Sequence, residues 1–220
     1  MKYEIIGSSS KGNSIIYEDK ILLDCGVSYS KLNRYLKNIK LIFISHIHTD
    51  HLLPTTIKQI AYNYPNIKFI CGSEDIVLKL TKCGVLKKNI FLLESGKKYD
   101  LGMCKVKLEE LHHDATNHCL KCELNQKKMI YIVDTSNVDN VKAKDYDLYF
   151  IESNYREDLL KKHIDECEDK NKLYYLNRVP QTHLSYEQAN SFLIENMSKN
   201  SYYQYIHESN YNFKEVEISE

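Results

Sequence analysis

The stretch 43-FISHIHTDHLLP-54 places three of the chain's nine histidines and an aspartate within six residues, directly behind a hydrophobic run. The pattern is His46-x-His48-x-Asp50-His51. A polar surface turn has no need of it. The run 41-LIFIS-45 reads as a buried strand. A loop leaving a strand can aim neighbouring side chains into one cavity. His46 and His48, two apart in extended backbone, point the same way. Asp50 and His51 follow once the chain has turned, and reach a second point close by. Four donors in six residues suit two adjacent ions better than one. Imidazole with carboxylate is a donor set for zinc, manganese or iron.

Neither ion is complete with these four residues, so further histidines and aspartates are expected at strand ends. His113 closes the run VKLEELHHDA, Asp134 closes KKMIYIVDTS, and His183 lies in QTHLS just before a helix start. Loops and strand ends are where a sheet exposes functional residues. Each of the three has an ordinary structural reading when taken singly, the aspartate as a turn former or helix cap. The loop at 46–51 gives them a common purpose.

Composition sets the outer limits. The chain has 220 residues, 43% of them hydrophobic, and 30 basic residues balanced by 30 acidic ones. A protein that grips long nucleic acid nonspecifically usually has a basic surplus. Pairs such as Lys87-Lys88, Lys97-Lys98, Lys127-Lys128 and Lys161-Lys162 read as solvated turns or helix ends. The longest apolar runs are about five residues, against the roughly 20 that span a bilayer. The opening MKYEIIGSSS lacks the apolar centre of a signal peptide, so a cytoplasmic location and no membrane partner are expected. Seven scattered cysteines fit free thiols in a reducing compartment. Cys119 and Cys122 form a C-x-x-C, but residues three apart on a strand face opposite ways, so both read as core. The 18 tyrosines are spread along the chain and read as amphipathic packing.

The order of elements alternates. Strands are expected at 2–7, 14–19, 20–26, 41–45, 68–72, 90–94, 97–102, 103–111, 118–125, 128–134 and 147–153, with a hairpin joined at Asp19-Lys20. Helices are expected over 28–38 behind Ser28, from Pro54 to Asn63, over 73–84 behind Ser73, over 155–170, and over 185–197. Ser185 and Gln188 have capping-box spacing. SYYQYIHE and NFKEVEI alternate as late strands. The pattern supports one α+β domain over 1–220, and strand blocks flanked by helices suggest a four-layer αββα sandwich.

His46-x-His48-x-Asp50-His51, followed by His113, Asp134 and His183, resembles the motif order of the metallo-β-lactamase superfamily. Asp24 in KILLDCG matches its early aspartate, and GSSSKGNS, HDA, VDTS and ESN are similar to the YycJ/WalJ-like branch of small phosphodiesterases. That resemblance implies the αββα metallo-β-lactamase-like sandwich and two divalent ions, Zn²⁺ or Mn²⁺. It implies a first ion on His46, His48 and His113, a second on Asp50, His51 and His183, and Asp134 bridging them. His112 is the alternative to His113. His118, His163 and His207 match nothing in the pattern and read as structural or surface residues. Tyr155 stands where the branch tends to have a histidine after Glu-Ser-Asn.

The implied activity is phosphodiester hydrolysis by a hydroxide held between the ions, with Asp50, Asp134 and His183 at the reacting centre. His113 and His183 would be ligands and not acid–base groups. The leaving oxygen would take its proton from water on an ion or from an acid such as Asp50. A WalJ-like exonuclease acting on DNA or RNA is the leading reading. A cyclic-nucleotide phosphodiesterase of the phage anti-defence (anti-Pycsar) type shares the size and motif order. A noncatalytic metal-binding protein is the third reading. Substrate contacts are expected from Ser9, Ser10 and Lys11, in a glycine-containing loop able to offer N–H groups to phosphate, and from Asn154. The alternative for that loop is a turn packed against the metal loop. A homodimer is compatible with so small a scaffold.

Overall fold

Short runs of Ile, Leu, Val, Phe and Tyr between turn residues make twelve strands among residues 1–209, which the computed structural model describes. The first sheet is β1 (Tyr3–Gly7), β2 (Ser14–Tyr17), β3 (Ile21–Leu23), β4 (Leu41–Phe43), β5 (Lys68–Cys71) and β6 (Ile90–Leu92), in that spatial order. The second runs β12 (Tyr202–Ile206), β11 (Leu148–Glu152), β10 (Lys127–Ile132), β9 (Asn117–Leu124), β8 (Lys105–Leu111) and β7 (Lys98–Asp100). The expected strand at 212–218 lies outside the described residues.

Period-two alternation explains why strands buried on both faces stack into layers. Ile15 and Tyr17 of β2 face the inter-sheet core with Phe43, Leu120, Met129 and Phe150, while Ile16 points to the helical side. Along β10, Met129 and Tyr131 face inwards and Ile130 and Ile132 outwards. Three helices cover the first sheet: α1 (Tyr29–Leu36), α2 (Pro54–Asn63) and α3 (Glu74–Lys82). Ala189, Phe192 and Leu193 of α6 (Tyr186–Asn196) cover the second. The expected αββα sandwich forms.

Local signals decide the boundaries. Pro54 opens α2, and Ser185 with Gln188 makes the full capping box on α6. The first hairpin turns at Glu18 and Asp19, both left-handed, one residue before the expected Asp19-Lys20. Ser28 and Ser73 precede their helices but do not cap them, because their hydroxyls bond Ser30 and Asp75 instead. The largest departure is at 155–170. The charged helix there is shorter, α4 (Glu157–Asp165), and a further helix follows it, α5 (Lys170–Thr182). Asp169 starts α5 by accepting the N–H groups of Asn171 and Lys172. Pro180 sits in its last turn, where a proline in the sequence reads as a stop. Tyr155, Leu160, Leu176 and Val179 hold α4 and α5 together. The tyrosine that departs from the family pattern is therefore a packing residue.

Strands β10, β11 and β12 are parallel, and β8 runs the same way, so all four end at one edge of the second sheet. The candidate site lies there, against the loop that leaves β4. No described helix is long and apolar enough to cross a membrane.

Candidate metal centre

The loop after β4 is fixed by backbone before it offers any ligand. The N–H of Asn13 bonds the Asp50 carbonyl (2.7 Å), the N–H of Cys25 bonds that of His51 (2.8 Å), and Lys79 of α3 donates to that of Ile47 (2.8 Å). Gly26 is required at this crossing, since a Cβ there would overlap the Asp50 carbonyl oxygen. Asp24 is fully buried and accepts from Ser45 N–H and Oγ (2.8 Å each) and from Tyr131 Oη (2.8 Å). Its Oδ2 also lies 2.6 Å from His51 Nδ1. That contact leaves the other ring nitrogen of His51 towards Asp134 Oδ2 and the Asn13 amide, and an oriented ring of this kind is the usual arrangement behind a ligating histidine.

Three groups of donor atoms converge, each within 4.8 Å: His46, His48, His113 and Asp134; Asp50, His51, Asp134 and His207; and Asp134, Glu152, His183 and His207. Asp134 belongs to all three. It has φ 49°, a left-handed conformation that turns the carboxylate across the site. Its Oδ2 lies 3.3 Å from His46 Nε2 and 3.2 Å from His51 Nε2, and its Oδ1 lies 2.9 Å from His207 Nδ1.

These residues fit a divalent metal ion. His46 Nε2 and His48 Nδ1 are 3.0 Å apart, and His113 Nε2 is 3.3 Å from the same nitrogen of His48, so three rings aim at one point. His207 Nε2 is buried without a hydrogen bond, as a ligand atom awaiting a cation would be. Burial, with a smaller effect from His51, pushes the His46 imidazole down to about 4, which keeps it neutral and able to ligate. Burial also opposes ionisation of Asp50. Its contacts with His207 and His51 outweigh that and hold the carboxyl well below the usual range.

His207 is a correction to the sequence reading, which made it structural or surface. It is 2% exposed and lies at the centre of two donor groups. Its Nε2 is 3.6 Å from Asp50 Oδ2 and its backbone N–H bonds Ser8 Oγ (2.7 Å). The reason is topological: β12 pairs in parallel beside β11, so the residue after Ile206 emerges at the same edge as Glu152. The same rule that picks out His113 and Asp134, a donor just past an apolar strand, applies to SYYQYIHE as well.

The other expected residues divide. His183 is close to Asp134 (Nδ1 to Oδ1, 3.7 Å), but it groups with Glu152 and not with Asp50 and His51. Glu152 is fully buried, accepts the Thr135 N–H (3.0 Å), and lies 2.6 Å from His183 Nδ1 and 2.9 Å from His207 Nδ1. Burial works against a charged His183. The Glu152 carboxylate more than offsets it, raising the imidazole above its ordinary value. His112 is exposed, with its carbonyl on the Ser136 N–H, so the donor is His113. His118 is buried against Gly72, and His163 lies on α4. Asn154, expected to touch substrate, is buried, and its amide donates to the His207 carbonyl (3.0 Å), which makes it a support for that residue. Ser9 closes a turn with Lys11 and Gly12, and Lys11 is exposed and does not line the cavity. Ser10 is the member of this loop at the cavity, whose volume is about 230 Å³.

The chain matches no protein-family model. The exodeoxyribonuclease WalJ of Streptococcus pneumoniae serotype 2 (strain D39 / NCTC 7466) is 29% identical over 177 residues, 73% of this chain. The match spans 65% of that relative's length. The metallo-β-lactamase fold protein YhfI from Bacillus subtilis superposes with a TM-score of 0.70 over 96% of this chain and 87% of that one, at 16% identity. The short form of human tRNase Z superposes with a TM-score of 0.66 over 96% and 93%, also at 16% identity. Sandwich topology and these superpositions agree, and the strand-end cluster around Asp134 lies where that sandwich exposes its loops: the chain has the metallo-β-lactamase fold.

Proposed function

We propose that the chain is a binuclear metal-dependent phosphodiesterase that acts as a nuclease on DNA or RNA. The carrying observation is that two donor groups share Asp134 while a Glu152–His183 pair lies in the same cluster. In this reading His46, His48 and His113 hold one ion, Asp50, His51 and His207 hold the other, and Asp134 serves both. Zinc or manganese bound there would supply Lewis acidity towards water and the phosphoryl oxygens.

The chain's own residues do the rest. Asp24 orients His51, and Asn154 with Ser8 orients His207. Glu152 holds Nδ1 of His183 and favours the charged form of the ring, and in this reading Nε2 donates the proton to the leaving oxygen. That role replaces ligation by His183 and protonation by Asp50. Asp50 is held ionised and has no proton to give at neutral pH. Likeness to an exodeoxyribonuclease and to tRNase Z supports nucleic acid as substrate. The small cavity and zero net charge favour a second reading, a cyclic nucleotide.

Incubation with Mn²⁺ or Zn²⁺ tests the two against each other. The substrates are 5′-phosphorylated duplex DNA, single-stranded DNA, RNA and a panel of 3′,5′-cyclic nucleotides. Shortening of DNA or RNA with cyclic nucleotides intact is expected; loss of a cyclic nucleotide with every polymer intact overturns the nuclease.

A further inference from the structure

Helix α5 stands over the cavity and contributes Tyr175, Arg178, Val179 and Thr182 to its lining. Val179 packs onto α4, whereas Tyr175 and Arg178 are three residues apart, on one helix face, and about half exposed. Among the described residues lining this cavity Arg178 is the one with a permanent positive charge; the rest are imidazoles, carboxylates and neutral groups. Its Nη2 bonds Asp114 Oδ2, and Asp114 Oδ1 lies 3.1 Å from His113 Nε2 and 3.4 Å from His48 Nε2. The guanidinium is therefore one carboxylate away from the first donor group without belonging to it.

Two consequences follow from charge. A phosphate that extends past the ions towards α5 meets Asp114, which repels it unless neutralised. Arg178 neutralises Asp114 with one arm and keeps Nε and Nη1 for a second acceptor, the fork geometry suited to phosphate. Tyr175, one turn earlier, offers a flat amphipathic ring at the same mouth, and aromatic rings bind single-stranded bases by stacking.

We infer that Arg178 and Tyr175 form a specificity clamp for the nucleotide adjoining the scissile phosphate. Arg178 binds that nucleotide's own phosphate and Tyr175 stacks on its base. The inference rests on the phosphodiesterase reading and deepens it: the favoured substrate carries a second phosphate, which a cyclic mononucleotide lacks.

The test compares kcat/KM of the metal-loaded full chain for three substrates: the 5′-phosphorylated dinucleotide pTpT, unphosphorylated TpT, and bis(p-nitrophenyl) phosphate. Calorimetric binding of the bisphosphate pTp gives a second readout. The wild type is expected to prefer pTpT to TpT by about tenfold or more, as a charge-assisted fork contact warrants. Arg178→Gln removes that preference and weakens pTp binding by about the same factor. Tyr175→Ala lowers both dinucleotides by roughly tenfold more than bis(p-nitrophenyl) phosphate, and Tyr175→Phe restores them. Equal losses on all three substrates in Arg178→Gln overturn the clamp. So does a wild type indifferent to the 5′-phosphate, or a preference that returns in Asp114→Asn/Arg178→Gln, since Arg178 would then act only by neutralising Asp114. A wild type that cleaves none of the three overturns the phosphodiesterase reading, and the clamp with it.

Discussion

The loop at 44–53 and the trio Glu152, His183 and His207 supply the site in contrasting ways. The loop delivers four donors from one turn of chain, pinned by backbone bonds to Asn13 and Cys25 and by the Asp24 carboxylate. The trio comes from three elements: the end of β11, the residue after α5 and the residue after β12. One carboxylate joins the trio, since Glu152 touches both histidines. A locally built region couples ligation to folding. In the proposed assignment, the region assembled from three elements divides its labour, with His207 for an ion and His183 for a proton.

Substitutions that separate these behaviours sharpen the contrast. His183→Ala is expected to lower kcat on the order of 10²–10⁴-fold, the range for a lost general acid, with metal content and melting temperature kept. In the loop the opposite holds. Gly26→Ala forces a Cβ into the Asp50 carbonyl, so destabilisation of about 3 kcal/mol is expected in urea titration, together with loss of bound metal. If Gly26→Ala kept its stability and lost only activity, the coupling of fold and ligation would be wrong.

Glu152→Gln has a smaller effect with a definite sign. Glu152 raises the pKa of His183, and the acid works only when protonated, so activity falls as pH rises through that value. Without the charge the pKa drops and the alkaline limb of the kcat profile moves to lower pH. An accompanying loss of roughly 10–100-fold at neutral pH is typical of a group that supports a catalytic or ligating histidine. A profile that stays in place would remove His183 from acid catalysis. The smallest change expected is Ser185→Ala, which breaks the α6 capping box, costs about 1 kcal/mol in denaturation and leaves metal content alone.

The contrast also explains what the sequence could show. His46, His48, Asp50 and His51 are legible because four donors in six residues form a pattern. His113 and Asp134 are legible as donors that end apolar strands, and the alternation of strands and helices carries the layers. His207 obeys the same strand-end rule, but a lone histidine after SYYQYI gains meaning only when β12 is known to lie beside β11. Glu152 is visible inside ESN without its role, because nothing local says that two histidines converge on it. Helix α5 escapes for a different reason. It is polar over most of its surface, its Pro180 mimics a stop, and its apolar residues Leu176 and Val179 are buried by packing with α4, a partner the sequence does not name.

The most direct test of the divided trio is metal content by mass spectrometry for the wild type, His207→Ala and His183→Ala, each loaded with Zn²⁺ or Mn²⁺ and freed of excess. Two ions in the wild type, one in His207→Ala and two in His183→Ala are expected. Two ions kept by His207→Ala, with one lost from His183→Ala, would contradict the assignment and return His183 to the role of ligand.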